Sequence, residues 1–133
     1  MTTDILIVED HPTMRGAMRA VLGGDQFVVR EAANGSEAFD AIGERIPDLI
    51  FLDLNIPGMS GEEILRAIKN DVDTVGIRVV VVTALGQEAR DKVLRAGADD
   101  FFMKPFTPKG ILATVDKVMA TEPCKPQDQA PPG

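Results

Sequence analysis

The chain has 133 residues, 44% hydrophobic and 26% charged, the make-up of one globular domain with a proper core. Its formal net charge of −7 argues against direct nucleic-acid binding and suits a cation or a basic partner surface. A single Cys124 excludes an internal disulfide, and neither a signal peptide nor a membrane span is evident, so a cytoplasmic protein without a membrane partner is expected.

Ile5-Leu6-Ile7-Val8, ending at Glu9-Asp10, reads as a first buried strand. His11-Pro12 leads into a helix with Met14, Ala17, Met18, Val21 and Leu22 on its apolar face, Thr13 near its cap and Gly23-Gly24 at its end. Phe27 to Ala32 mixes apolar and charged residues, as a strand near a sheet edge does. A turn at Asn34-Gly35 opens a helix over Ser36 to Arg45 with Ala38, Ala41 and Ile42 inward, closed by Pro47. Leu49-Ile50-Phe51-Leu52 is a continuous apolar run suited to a strand buried on both faces, and it stops at Asp53. Pro57, Gly58 and Gly61 turn the chain into a helix from about Gly61 to Asn70, with Ile64, Leu65 and Ile68 on one face.

Asp71 to Gly76 reads as a polar connection, and Val79 to Val82 is the most strand-like run, ending at Thr83-Ala84. Gln87 to Ala96 is a weaker amphipathic helix anchored by Val93 and Leu94, with Gly97 as its cap. Asp99 to Met103 forms a last strand ending at Lys104-Pro105, and Ile111, Leu112, Val115, Val118 and Met119 define a final helix. Residues 121–133 are Pro-rich without apolar period and read as a disordered tail or a linker. Five alternating strand–helix units predict an α/β fold with a doubly wound parallel sheet, whose ligand crevice lies at the strands' carboxyl ends.

Four of the five strands finish on polar or charged residues: Glu9-Asp10, Asp53, Thr83 and Lys104. Each alone is an ordinary loop start. Parallel strands carry all of them to one edge, so three carboxylates, a hydroxyl and an ammonium should meet there. Acids that close repel by several kcal/mol at intermediate dielectric, so one takes up a proton unless a cation joins them, and an all-oxygen set suits Mg²⁺ or Mn²⁺. The bland readings are a helix-capping role for Glu9 and Asp10, a solvated loop acid at Asp53, a surface ion pair at Lys104 and a β-branched strand end at Thr83. His11 reads as a solvated bystander. No phosphate-cradling glycine loop and no Ser-His-Asp or Cys-His set is present.

Glu9-Asp10 after the first strand, Asp53 in Leu-Asp-Leu-Asn-Ile-Pro-Gly-Met-Ser-Gly, Thr83-Ala84 after the fourth and Lys104-Pro105-Phe106 after the fifth together resemble the receiver domain of two-component response regulators. The resemblance takes in nearly everything but the tail, with residues 1–120 as the receiver. It implies a flavodoxin-like (βα)5 sheet in the order 2-1-3-4-5. It implies that Asp53 accepts a phosphoryl group from the phosphohistidine of a sensor histidine kinase or phosphotransfer protein. It further implies that Asp10 and Asp53 ligate Mg²⁺ or Mn²⁺, with Glu9 direct or through water, helped by the Asn55 backbone carbonyl, and that Lys104 pairs with phosphoryl oxygens. Thr83 and Phe101 would be the switch pair, acting on the face of the fourth helix, fifth strand and fifth helix, where an output partner or C-terminal output domain reads the state. The chain has no tyrosine, so no hydroxyl at Phe101 can report that switch. A cis peptide before Pro105, and tuning of the acyl-phosphate lifetime by Asn55 and Leu85, rest on the same resemblance. Such a domain catalyses only its own phosphorylation and slow dephosphorylation.

Three rivals remain. An aspartate-nucleophile phosphatase of the haloacid dehalogenase type wants a second acid where this chain has Asn55, and a cap domain. A flavodoxin-like cofactor binder needs a phosphate loop where Glu9-Asp10-His11-Pro12 would repel phosphate. A pseudo-receiver that only mediates contacts would not need the complete residue set found here.

Overall fold

The computed structural model describes residues 2–56, 58–84, 86–104 and 106–120. The peptide before Pro105, Leu85 and the 121–133 tail lie outside the described residues. The elements in chain order are β1 (Thr3–Val8), α1 (Pro12–Val21), β2 (Phe27–Ala32), α2 (Gly35–Glu44), β3 (Leu49–Leu52), α3 (Gly61–Lys69), β4 (Arg78–Thr83), α4 (Gln87–Arg95), β5 (Asp100–Met103) and α5 (Pro108–Met119). All strand pairs are parallel, in the order β2-β1-β3-β4-β5. The expected doubly wound α/β sheet is therefore present in the expected order, and the mixed strand Phe27–Ala32 lies at an edge.

Side chains of a strand alternate between faces, so each buried strand feeds two cores. Leu6, Val8, Ile50, Leu52, Val79 and Val81 pack with Ala38, Ile42, Ile64, Leu65, Ile68 and Val93, which seats α2, α3 and α4 on one face. Ile5, Ile7, Leu49, Phe51, Val80 and Val82 pack with Met18, Leu22, Ile111, Val115 and Val118, which seats α1 and α5 on the other.

Several local expectations are revised. Thr13 does not cap α1; His11 holds the N-cap position without a side-chain hydrogen bond, and Pro12 starts the helix. The α1 face is the expected one at Met18 and Leu22, which are buried, and at Met14 and Val21, which are partly so, but Ala17 is exposed and Arg15 is partly buried beside it. Leu112 of α5 is 36% exposed rather than inward. The 71–76 connection is not wholly polar, since Val75 is buried.

The last strand begins one residue late because Asp99 is otherwise engaged. Its Oδ2 accepts from the Val79 backbone N–H at 2.8 Å and from the Lys69 ammonium at 3.0 Å. Lys69 is only 4% exposed and also donates to the Val75 and Ile77 carbonyls at 3.3 and 2.6 Å. Three polar partners thus satisfy one buried ammonium, tying the end of α3 to the start of β4 and to the turn before β5. Gly97, at φ +111°, makes that turn, and a Cβ there would lie 2.9 Å from Lys69 Cγ.

Breaking a buried pair from one side leaves an uncompensated charge. Lys69→Met, which keeps the stem and removes the ammonium, should lower unfolding stability by about 3 kcal/mol in urea titration. A loss under about 1 kcal/mol would mean that the pair behaves as a solvated one.

Candidate functional site

The carboxyl ends of β1 and β3 are adjacent and in register, Val8 opposite Leu52, so Glu9 and Asp53 each stand one residue past the last paired position. The Glu9 N–H donates to Ala32 O and the Asp53 N–H to Val8 O, both at 3.0 Å, which continues the ladder to the site. This is also where the winding reverses, β2 lying on one side of β1 and β3 on the other. The fold builds its crevice at that point.

One ammonium organises the site. Lys104 Nζ, on the residue after β5, donates to Glu9 Oε1 at 2.7 Å and to Asp53 Oδ2 at 3.0 Å. The Lys104 backbone N–H donates to Thr83 O at 2.8 Å, locking the end of β5 to that of β4. Asp53 Oδ1 accepts from the Asn55 N–H at 3.0 Å, an aspartate turn that aims the carboxylate back into the crevice. Glu9 and Asp53 are 2% and 6% exposed, whereas Asp10 is exposed. Asp53, Leu54, Asn55, Thr83, Ala84 and Lys104 line a cleft of about 330 Å³. Gly61 closes the floor, because a Cβ there would lie 2.4 Å from Asp53 O and 2.5 Å from Leu54 Cα.

The carboxylate oxygens of Glu9, Asp10 and Asp53 come within 4.8 Å of one another. Glu9 Oε2 is buried with no hydrogen-bond partner among the described residues. An orphaned buried oxygen beside two further carboxylates fits a hard divalent cation, which takes oxygen ligands and supplies the positive charge they lack. The acids of this cluster can therefore hold a metal. Burial, with Asp53 alongside, raises the Glu9 pKa from an ordinary 4.5 to about 7 although Lys104 pulls the other way. For Lys104, burial favours the neutral amine, but the hydrogen bonds to Glu9 and Asp53 outweigh it and the pKa rises.

Glu9, Asp10, Asp53, Thr83 and Lys104 thus share one edge as the strand ends predict, and Asn55 lines the same cleft. Phe101 is not in it: it is half-buried against the core of α2, α3 and α4. His11 is exposed at the start of α1 and stands outside the acid cluster. Two residues that the sequence analysis passed over support the architecture. Arg15 donates to the Glu9 backbone carbonyl at 2.8 Å, and Lys69 anchors the opposite end of β4. Both carried a signal: Arg15 lies three residues before Met18 and seven before Leu22, and Lys69 lies four after Leu65, so each falls on a buried helical face.

The Glu9 shift has a consequence for stability. The folded chain holds that proton up to about pH 7 and the unfolded chain only up to about pH 4.5, so folding takes up a proton in between and stability falls as pH rises through the window. In metal-free protein the Tm should decline from about pH 5 to about pH 7, and Glu9→Gln should flatten that segment. A Gln variant retaining the full slope would assign the titration to another group.

Comparison with known proteins agrees with this geometry. Residues 5–116 match the response regulator receiver domain family. The DNA-binding response regulator MtrA of Mycolicibacterium smegmatis is 39% identical over 117 residues, covering 86% of this chain and 50% of that protein. The phosphate regulon transcriptional regulatory protein PhoB of Escherichia coli is 39% identical over 120 residues, covering 90% and 52%. The chain thus spans about half the length of the curated relatives it matches. Among solved structures, the signal receiver domain of a histidine kinase from Syntrophus aciditrophicus superposes with a TM-score of 0.81 at 31% identity, covering 90% of this chain and 91% of that one. The chemotaxis protein CheY4 of Vibrio cholerae gives 0.82 at 25% identity, covering 89% and 99%. The chain belongs to the receiver domain family of two-component response regulators.

Proposed function

We propose that the chain is a phosphorylation-activated switch in which Asp53 accepts a phosphoryl group from the phosphohistidine of a sensor histidine kinase or phosphotransfer protein. The observation that carries this reading is the Lys104 ammonium shared between Glu9 and Asp53 at the mouth of the cleft. An Asp53 oxygen attacks phosphorus, the new P–O bond forms as the P–N bond to imidazole breaks, and the kinase histidine leaves with the electron pair and takes a proton. The product is an acyl phosphate, and water later returns Asp53 and inorganic phosphate.

Phosphoryl transfer asks a protein mainly for positioning and charge compensation. Asn55 N–H holds one Asp53 oxygen and so sets the direction of attack. Lys104 would turn its protons from Asp53 Oδ2 to the arriving phosphoryl oxygens, and Thr83, which lines the cleft, would offer its hydroxyl to another. Glu9, Asp10, Asp53 and the Asn55 backbone carbonyl would hold Mg²⁺ or Mn²⁺, which neutralises phosphoryl charge and aligns the donor. Movement of Thr83 toward the phosphoryl group frees space that Phe101 fills, shifting the α4-β5-α5 face.

In this reading residues 1–120 are the switch and 121–133 lead away from it as tail or linker. Output passes to a partner or to a C-terminal domain, and the relatives named as DNA-binding response regulators favour the second. These residues themselves, at net charge −7, do not bind DNA. Among the described residues no helix is long and apolar enough to cross a membrane, and the proposed setting is the cytoplasm, where such kinases present their phosphohistidine.

Intact-mass spectrometry after incubation with acetyl phosphate should show a Mg²⁺-dependent phosphoryl adduct that Asp53→Asn abolishes. If neither this adduct nor beryllofluoride binding is seen, a contact module without phosphorylation becomes the better reading. Rapid turnover of a free phosphomonoester would instead favour a phosphatase. Separately, Mg²⁺ at about 100-fold over its Kd should stabilise the parent by about 2.7 kcal/mol, since it binds only the folded site. Asp10→Asn should lose most of the resulting rise in Tm, and an undiminished rise would move the metal away from Asp10.

A further inference from the structure

The two acids of the first loop differ in how they are held. Glu9 is buried, its N–H is tied to Ala32 O and its carboxylate to Lys104. Asp10 is exposed, and no hydrogen bond from the described residues holds its carboxylate. The backbone at the peptide group joining Glu9 to Asp10 therefore sets where its Cβ starts, and with that the range the carboxylate can reach.

Among the described residues that peptide has a side-chain anchor in Arg15. Arg15 Nη1 donates to the Glu9 carbonyl oxygen at 2.8 Å, and the same guanidinium gives its Nε proton to Glu31 Oε1 at 3.0 Å. Glu31 belongs to the edge strand β2, and its second oxygen accepts from Arg19. Arg15 is thus seated from two sides on one turn of α1, its side chain only 21% exposed. A peptide unit is planar, so fixing its oxygen restricts the ψ of Glu9 and the φ of Asp10 together. Both Cβ directions follow from those two angles.

We propose that Arg15 is a positioning residue for cation binding: it holds the Glu9–Asp10 peptide plane so that the Asp10 carboxylate faces Glu9 and Asp53, and Glu31 orients Arg15 for that purpose. This rests on the metal reading of the acidic site and adds a residue that touches neither metal nor phosphoryl group. Arg19 serves as the internal contrast, because it shares Glu31 but makes no bond to the peptide. Loss of groups that orient ligands typically weakens metal affinity by about 10- to 100-fold.

Isothermal titration of metal-free protein with Mg²⁺ tests this, paired with Tm measured without metal. The parent should bind. Arg15→Ala should bind about tenfold more weakly. Arg15→Lys, which keeps a cationic donor for the carbonyl but loses the fork to Glu31, should recover part of the difference. Arg19→Ala should bind within about twofold of the parent, as expected of an exposed pair, even if its Tm falls. Equal Mg²⁺ affinity in Arg15→Ala and the parent would overturn the proposal, as would equal losses in the Arg15 and Arg19 variants, which would make Arg15 a tie for stability only. Should Arg15→Ala fail to fold, the comparison of Arg15→Lys and Glu31→Gln with Arg19→Ala decides on the same criterion. A parent that takes up no Mg²⁺ removes the metal reading itself, an outcome distinct from a binding parent with an indifferent Arg15.

Discussion

A single ammonium shared by two buried carboxylates sets the terms for the rest of the molecule. Glu9 and Asp53 cannot both ionise cheaply side by side out of water, since a pair of like charges at 4 Å costs about 4 kcal/mol at intermediate dielectric. Lys104 offsets that cost from 2.7 and 3.0 Å. It does not offset all of it: the Glu9 pKa still sits near 7, and one Glu9 oxygen has no partner. A site with three acids and one cation is short of positive charge, a shortfall that a further cation would relieve. The same shortfall leaves Lys104 firmly charged, available to follow an anion placed on Asp53.

The sheet maintains this imbalance by stiffness on both sides. At the carboxyl edge, ladder bonds run to the last residue before each acid and beyond. At the opposite edge, Lys69 satisfies two carbonyls and Asp99, a full set of partners that contrasts with the deficit at the site. The helices are anchored unevenly between these edges. Helix α3 buries Ile64, Leu65, Ile68 and Lys69 and is capped by the Ser60 hydroxyl. Helix α4 rests on Val93 with Leu94 half-buried, and its N-cap Gly86 offers no side chain to the first turn. Elements with few buried contacts are those that open at least cost. This lightly anchored helix begins four residues after Thr83.

Much of this was legible in the amino-acid order. Continuous apolar runs stopped by single acids marked buried parallel strands, because only a strand covered on both faces needs no polar alternation. The common edge of Glu9, Asp53, Thr83 and Lys104 followed from parallel direction alone. What escaped was the contribution of long side chains that bury a charged end. Apolar spacing on α1 gives Met18 and Leu22 as inward, and both are buried. It does not show that Arg15 beside them also turns in, where the guanidinium finds the Glu9 carbonyl and Glu31. Lys69 was hidden in the same way, and with it the reason why β5 starts at Asp100. Periodicity locates a buried face but does not say that a cation lies on it, since that depends on carbonyls brought in from distant segments. Phe101 was placed on its strand correctly, yet its half-burial is a matter of how closely α4 packs.

The route from the cleft to the surface follows from how Lys104 is held. Its backbone N–H is fixed to Thr83 O, so the ends of β4 and β5 move as one unit. Among the described residues its ammonium is held by hydrogen bonds to two carboxylates, and it sits on a flexible stem. In the proposed switch an anion at Asp53 would therefore redistribute the ammonium without breaking the sheet. The chain after β4 leads into α4, whose N-cap Gly86 offers no side-chain hydrogen bond and whose buried anchor is Val93. The proposed switch would run along this connection, from the acidic edge through the end of β4 to α4. It would need no large motion at the site, only a difference of a few kcal/mol between two seats of the same helix.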